Sequence, residues 1–206
     1  MTTFRQPGDS KEEFLYRLYN TGATDLRLCY NYVQDDELKF TRWVRYDHLM
    51  TLNPEEWVVG TKDNKASFLR KATHRTIHPL EVVYDVDVCT IDSKPRSTGL
   101  DLSGKKLIVH RYFTYPNIIS MSTAIAFRLE KTYLKKVYFT GNKSYHIHQY
   151  RPDFAKLRQR DRELAREVLL SKHGCDIAKK SENSMIAIEQ EPHYRSGKPK
   201  NEVMLL

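Results

Sequence analysis

The chain has 206 residues, 40% of them hydrophobic and 29% charged, enough for one domain with a real core or two small lobes sharing a cleft, and too apolar for a disordered segment. No run approaches the ~18 apolar residues of a membrane helix, and the opening MTTFRQPGDSKEE carries no signal-peptide core, so the expectation is a cytoplasmic chain without a membrane partner. The net charge of +8 is one-sided, with 14 Lys/Arg against 15 Asp/Glu in residues 1–100 and 20 against 11 in residues 101–206, a field that suits a polyanion such as nucleic acid or a nucleoside triphosphate.

Ser10-Lys11-Glu12-Glu13 reads as a capping box. Phe14, Leu15, Leu18 and Tyr19 follow as one helical face, with Gly22 as the stop. Leu26 to Val33 and Leu38 to Tyr46 read as a hairpin across the polar Gln34-Asp35-Asp36-Glu37. Trp57 to Gly60 reads as a short strand, and the polar, basic stretch 61–79 as a loop. In EVVYDVDVC, Val82, Tyr84, Val86 and Val88 point one way and Val83, Asp85, Asp87 and Cys89 the other. Residues 92–104 read as a loop and Leu107 to Phe113 as a strand. Ile118, Met121, Ile125, Leu129 and Tyr133 keep helical spacing up to Lys135-Lys136. Short strands follow at Val137 to Phe139 and Tyr145 to Gln149 around the turn Gly141-Asn142-Lys143. A helix capped by Asp153, with Phe154, Leu157, Leu164, Val168 and Leu169 inward, stops at Gly174. Met185 to Ile188 and Glu202 to Leu206 read as strands. Interleaved strands and helices make the class α/β or α+β. Cys29, Cys89 and Cys175 are odd in number and far apart, so they offer neither a disulfide framework nor a Cys-x-x-Cys site, and no structural zinc is expected.

Three segments carry possible chemistry. Asp85 and Asp87, two apart on a strand, leave one face and repel unless protonated or bridged by a hard divalent cation such as Mg²⁺; the plain alternative is a solvated sheet edge. Thr140 to His148 joins a Gly turn, Lys143, Ser144 and His146, donors that can gather round an anion, against the alternative of a structural histidine. Cys175-Asp176-Ile177 and the turn Pro192 to Lys198, with His193 and Arg195, add an acid and further phosphate donors, or are ordinary surface.

In this order, Asp-x-Asp on a strand, Ser-x-His after a Gly turn, hydrophobic-Asp and His-x-Arg-Ser-Gly, the chain resembles the catalytic core of the archaeo-eukaryotic primase superfamily, over roughly residues 39–200. The resemblance implies an RNA-recognition-like catalytic half (81–206) packed against an N-terminal α/β half (1–80). It implies a two-metal site for Mg²⁺ or Mn²⁺ at Asp85, Asp87 and Asp176, with nucleotide held by Lys143, Ser144, His146, His193 and Arg195. Two departures stand out: residues 90–145 hold no zinc-knob cysteines, and a family Lys before the last His falls here in the apolar Met185 to Ile188. A compact zinc-free plasmid, viral or CRISPR-associated primase-polymerase is the better fit.

The expected activity is template-dependent nucleotidyl transfer, making or extending RNA or DNA primers on single-stranded DNA from NTPs or dNTPs. Arg70, Lys71, Arg75, Arg128, Lys131 and Lys135 are candidate contacts to template or primer phosphates. The alternatives are a gap-filling repair polymerase without priming, a non-catalytic nucleic-acid-binding module and a metal-dependent nuclease. The strand-like ending NEVMLL raises the expectation of accessory domains downstream, such as a helicase or other replication or CRISPR modules.

Overall fold

The computed structural model describes residues 2–51, 63–86, 96–100, 106–109, 118–129, 131–142 and 144–203. Helix α1 (Lys11–Asn20) begins at the expected box: the Ser10 side chain accepts from Glu13 N and the Glu13 carboxylate accepts from Ser10 N. Its buried Phe14, Leu15 and Leu18 found a first core with Leu26, Leu28, Leu49 and Phe68. Strands β1 (Arg27–Cys29), β2 (Asn31–Gln34), β3 (Glu37–Phe40) and β4 (Val44–Arg45) realise the expected hairpin. Its tip is tight because Asp35 and Asp36 both adopt positive φ, 52° and 58°, as a two-residue hairpin turn requires.

After α2 (Tyr46–Thr51), the expected loop at 61–79 is instead helix α3 (Lys65–Lys71), capped by Asn64, and strand β5 (His74–Thr76). Periodicity misses both because each is short and polar; α3 buries Phe68 alone, and β5 is held by its neighbours in the sheet. The first sheet has the order β11-β5-β1-β4, where β11 (Met185–Ala187) returns from the far end of the chain to pair with β5. The N-terminal sheet therefore crosses the expected boundary at residue 80.

The second sheet, ordered β12-β9-β10-β6, joins β6 (Glu81–Val86), β9 (Lys135–Phe139), β10 (Tyr145–Tyr150) and β12 (Asn201–Glu202), all antiparallel. Val82, Tyr84, Val86 and Ile147 on one face meet Met121 and Ile125 of helix α4 (Ile118–Arg128), Leu129 just after it, and Leu170 of α5 (Gln159–His173). The alternation in β6 is as expected, so Glu81, Val83 and Asp85 share the opposite face. A separate hairpin, β7 (Arg96–Leu100) with β8 (Lys106–Val109), puts a strand in the stretch expected to be loop. Helices combined with antiparallel sheets make the fold α+β.

Two elements differ in detail from their patterns. Phe154 lies in a 3-10 turn (Pro152–Lys156), and α5 starts afresh at Gln159, which resets the helical phase. Leu157, Leu164 and Val168 are consequently exposed, while Arg166, Leu170 and His173 face inward. Helix α4 ends at Arg128, and Lys135 belongs to β9. The expected strand at 57–60, residues 87–89 of the Asp-x-Asp strand, the end of the 107–113 strand and residues 204–206 lie outside the described residues.

Candidate functional site

Asp85 and His146 are directly opposed across the β6–β10 ladder. His146 Nε2 lies 3.4 Å from Asp85 Oδ1, and Lys179 Nζ lies 3.7 Å from Asp85 Oδ2. Burial raises the carboxyl's proton affinity, but His146, Lys179 and Lys200 outweigh it and hold Asp85 at a pKa of about 2. Burial also lowers the His146 pKa. A neutral ring with Nε2–H towards Asp85 leaves Nδ1 as an acceptor, and Nδ1 is buried without a hydrogen-bond partner among the described residues. Asp176 opens the 3-10 turn Ile177–Lys180 that delivers Lys179; its exposed carboxylate accepts from Ala178 N at 2.9 Å. Asp87 and Lys143 lie outside the described residues.

The two turns expected to handle phosphate are brought together. Thr140 N donates to Ser144 O at 2.9 Å, and the Thr140 and Ser144 hydroxyls lie 2.7 Å apart, closing the Gly turn. The second turn closes through His193 N to Lys198 O at 2.8 Å, and Ser196 Oγ donates across to Gly141 O. Gly141 has φ +89°, and a Cβ there would lie 2.2 Å from Lys198 O and 3.0 Å from His193 Cβ. Only glycine permits this approach. Half-buried His193 and exposed Arg195 stand on the second turn, the Arg195 guanidinium 5.4 Å from the centre of the Tyr194 ring.

Gly141→Ala is expected to cost at least about 2 kcal/mol, from the left-handed backbone and the clash together, lowering Tm by roughly 4–8 °C. Gly197→Ala is the internal control: its φ is +67° but nothing lies within 4 Å of the added Cβ. Thermal unfolding of the two variants side by side checks this, and equal losses would mean that the close approach of the turns is not real.

Protein-family models, curated proteins and solved structures all yield no match to this chain.

Of the expected nucleic-acid contacts, Arg70, Arg128 and Lys131 are exposed. Lys71 pairs with Asp63 at 2.5 Å and borders a surface depression with Tyr30, Asn31 and Tyr32. Arg75 and Lys135 must be corrected. Lys135 is not on the helix: its Nζ donates to Ala126 O and Leu129 O, capping α4. Arg75 is fully buried and cannot reach a phosphate backbone.

Arg75 centres a group that sequence reasoning missed. Its guanidinium donates to both Glu81 oxygens, at 3.0 and 3.2 Å, and to Glu189 Oε1 at 2.8 Å. His148 Nδ1 lies 2.7 Å from Glu81, and its Nε2 lies 3.0 Å from Lys200 Nζ, which also donates to Ala187 O. Burial raises the proton affinity of both carboxyls, and the facing Arg75 overcomes it, so both stay ionised. Glu81, His148 and Glu189 present ligand atoms within 4.8 Å of one another, a group that could hold a metal ion. Arg75 and Lys200 already balance its two negative charges with His148 neutral. An added ion would have to displace a fully buried guanidinium. The group joins the β5–β11 and β6–β10 strand pairs on the same sheet face as Asp85 and His146, the His146 and His148 rings lying 6.0 Å apart. The available signal was Glu81 itself, in phase with Val83 and Asp85.

No helix among the described residues is long and apolar enough to cross a membrane.

Proposed function

We propose that this chain is a metal-dependent nucleotidyltransferase of the primase-polymerase type, acting on single-stranded DNA template with NTPs or dNTPs. The observation that carries the reading is the convergence of Asp85 and His146, opposed on β6 and β10, with two turns locked together at Gly141. The order β9-β10-β6, with α4 and α5 on one face and the site on the other, also suits an RNA-recognition-like half.

The donor set fits a hard divalent ion at Asp85. That carboxylate stays ionised, both of its oxygens lie near cationic or polar groups at long range, and the adjoining His146 Nδ1 has no partner among the described residues. Asp85, with Asp87 and Asp176, would hold Mg²⁺ or Mn²⁺, which supplies a 3′-hydroxyl of lowered pKa and charge neutralisation at the leaving pyrophosphate. The protein residues would orient the triphosphate through the Ser144 and His193 turns, while His146, with Nε2 towards Asp85, holds that carboxylate in place. Exposed Arg70, Arg128 and Lys131 would give salt-dependent, sequence-independent contacts to the strand.

The test is nucleotide incorporation on single-stranded DNA, unprimed and primed, with Mg²⁺ or Mn²⁺. Short products from unprimed template are expected, with Asp85→Ala lowering incorporation by about 10³-fold, or some 4 kcal/mol of barrier. Extension of supplied primers alone would indicate a gap-filling polymerase. Neither incorporation nor nucleotide binding would sink the enzyme reading in favour of a binding module, and strand cleavage would point to a nuclease.

A further inference from the structure

Lys179 reaches the cleft from the 3-10 turn, four-fifths buried, with Nζ 3.1 Å from Met185 O and 3.7 Å from Asp85 Oδ2. The second distance is too long for a hydrogen bond, so Lys179 places a full positive charge beside the carboxylate without locking onto it. Such a charge has one role when the cleft holds no divalent ion and another when it does. Alone, it neutralises Asp85. Beside a dication on the same carboxylate it is repelled, and the repulsion is relieved if an anion arrives with the metal. The turns expected to handle anions adjoin the same strand pair: Ser144 lies two residues before His146, which opposes Asp85, and Ser196 Oγ ties the His193 turn to Gly141 O. Lys179 and these turns thus adjoin the same Asp85–His146 pair.

Resting on the nucleotidyltransferase reading, we propose that Lys179 is a mobile counter-cation that holds the place of the metal at Asp85 in the free protein and moves to the triphosphate when metal-nucleotide binds. Its neighbour Lys180 is excluded from this role because it is paired with Glu167 at 2.7 Å on α5.

The experiment is calorimetric titration with Mn²⁺ alone, and then with Mn²⁺ plus a non-hydrolysable nucleoside triphosphate. The proteins are wild type, Lys179→Ala, Lys179→Arg and Lys180→Ala, each with its Tm recorded. Removing the competing cation is expected to tighten Mn²⁺ binding by Lys179→Ala several-fold, while losing a charge-assisted phosphate contact weakens nucleotide binding about tenfold. Lys179→Arg should keep nucleotide affinity within about threefold, since it conserves the charge, and Lys180→Ala should match wild type. Opposite signs for metal and nucleotide separate this role from a purely structural ion pair, which would move both the same way or neither. Unchanged nucleotide affinity in Lys179→Ala, with wild type binding normally, overturns the role of Lys179 and leaves the enzyme reading standing. A wild type that binds neither Mn²⁺ nor nucleotide overturns both.

Discussion

Arg75→Met is expected to destabilise the fold by about 3–5 kcal/mol, a fall in Tm of roughly 6–20 °C at this chain length. The guanidinium is fully buried and is shared between Glu81 and Glu189, which are themselves buried. Removing it leaves two carboxylates facing each other with Lys200, 3.8 Å from Glu189, and the Arg166 guanidinium on the Glu81 carbonyl as nearby positive charges. One of them must take up a proton or drag water inside, and either response loosens the joint between the strands of the two sheets. Arg75→Lys should cost less, because it keeps the charge and loses only the forked geometry. Arg70→Met, on the exposed face of α3 five residues earlier, should stay within about 0.5 kcal/mol of wild type. Thermal or urea unfolding of the three variants decides the matter. An Arg75→Met protein that melts with wild type would mean the two carboxylates are not buried together.

That joint shows where the sequence could be read and where it could not. The capping box at Ser10, the β6 alternation through Asp85 and the stop at Gly174 are local: each is written within a few residues and owes little to the rest of the chain. The turns at Gly141 and His193 were legible as turns, but their docking at Gly141 is a tertiary contact that no local pattern reports. Arg75, Glu81, His148, Glu189 and Lys200 are scattered over 126 positions, and one at a time each resembles ordinary surface charge. Only the sheet pairings bring them together, and no period reports a pairing. Arg166 misleads in the same way. It occupies the inner face of α5 because its guanidinium donates to His78 O, Pro79 O and Glu81 O and pairs with Glu182, so a charged residue sits where an apolar stripe would predict Leu164 or Val168. Short polar elements such as α3 and β5 escape for a related reason: their stability comes from what lies beside them, and their own composition is that of a loop.

Stability is expected to fall steeply between pH 6.5 and pH 4, beginning above the range where carboxylates start to titrate. His78 and His148 are fully buried, and each has its pKa pushed down to about 4, by burial first. For His148 the next cause is Lys200, whose ammonium donates to Nε2 while Nδ1–H faces Glu81; a proton on Nε2 would meet that ammonium head-on. For His78, Nδ1 accepts from Leu80 N at 3.0 Å, so protonation there breaks a buried hydrogen bond. In the unfolded chain both rings titrate near 6.5. Below that pH the unfolded state binds more protons than the folded one, so stability is fully present above pH 6.5 and falls as pH approaches 4. A depression from 6.5 to about 4 amounts to something on the order of 3 kcal/mol for each ring. Two such rings amount to about 6 kcal/mol, a large share of the ~5–15 kcal/mol typical of a domain. Circular dichroism should therefore show an acid transition with its midpoint above pH 4, and His148→Asn, which keeps a polar side chain but cannot be protonated, should move that midpoint down relative to its own stability at pH 7. A transition below pH 3, with both rings titrating near 6.5 in the folded protein by NMR, would place these histidines in water and dissolve the case for a buried joint beside Asp85.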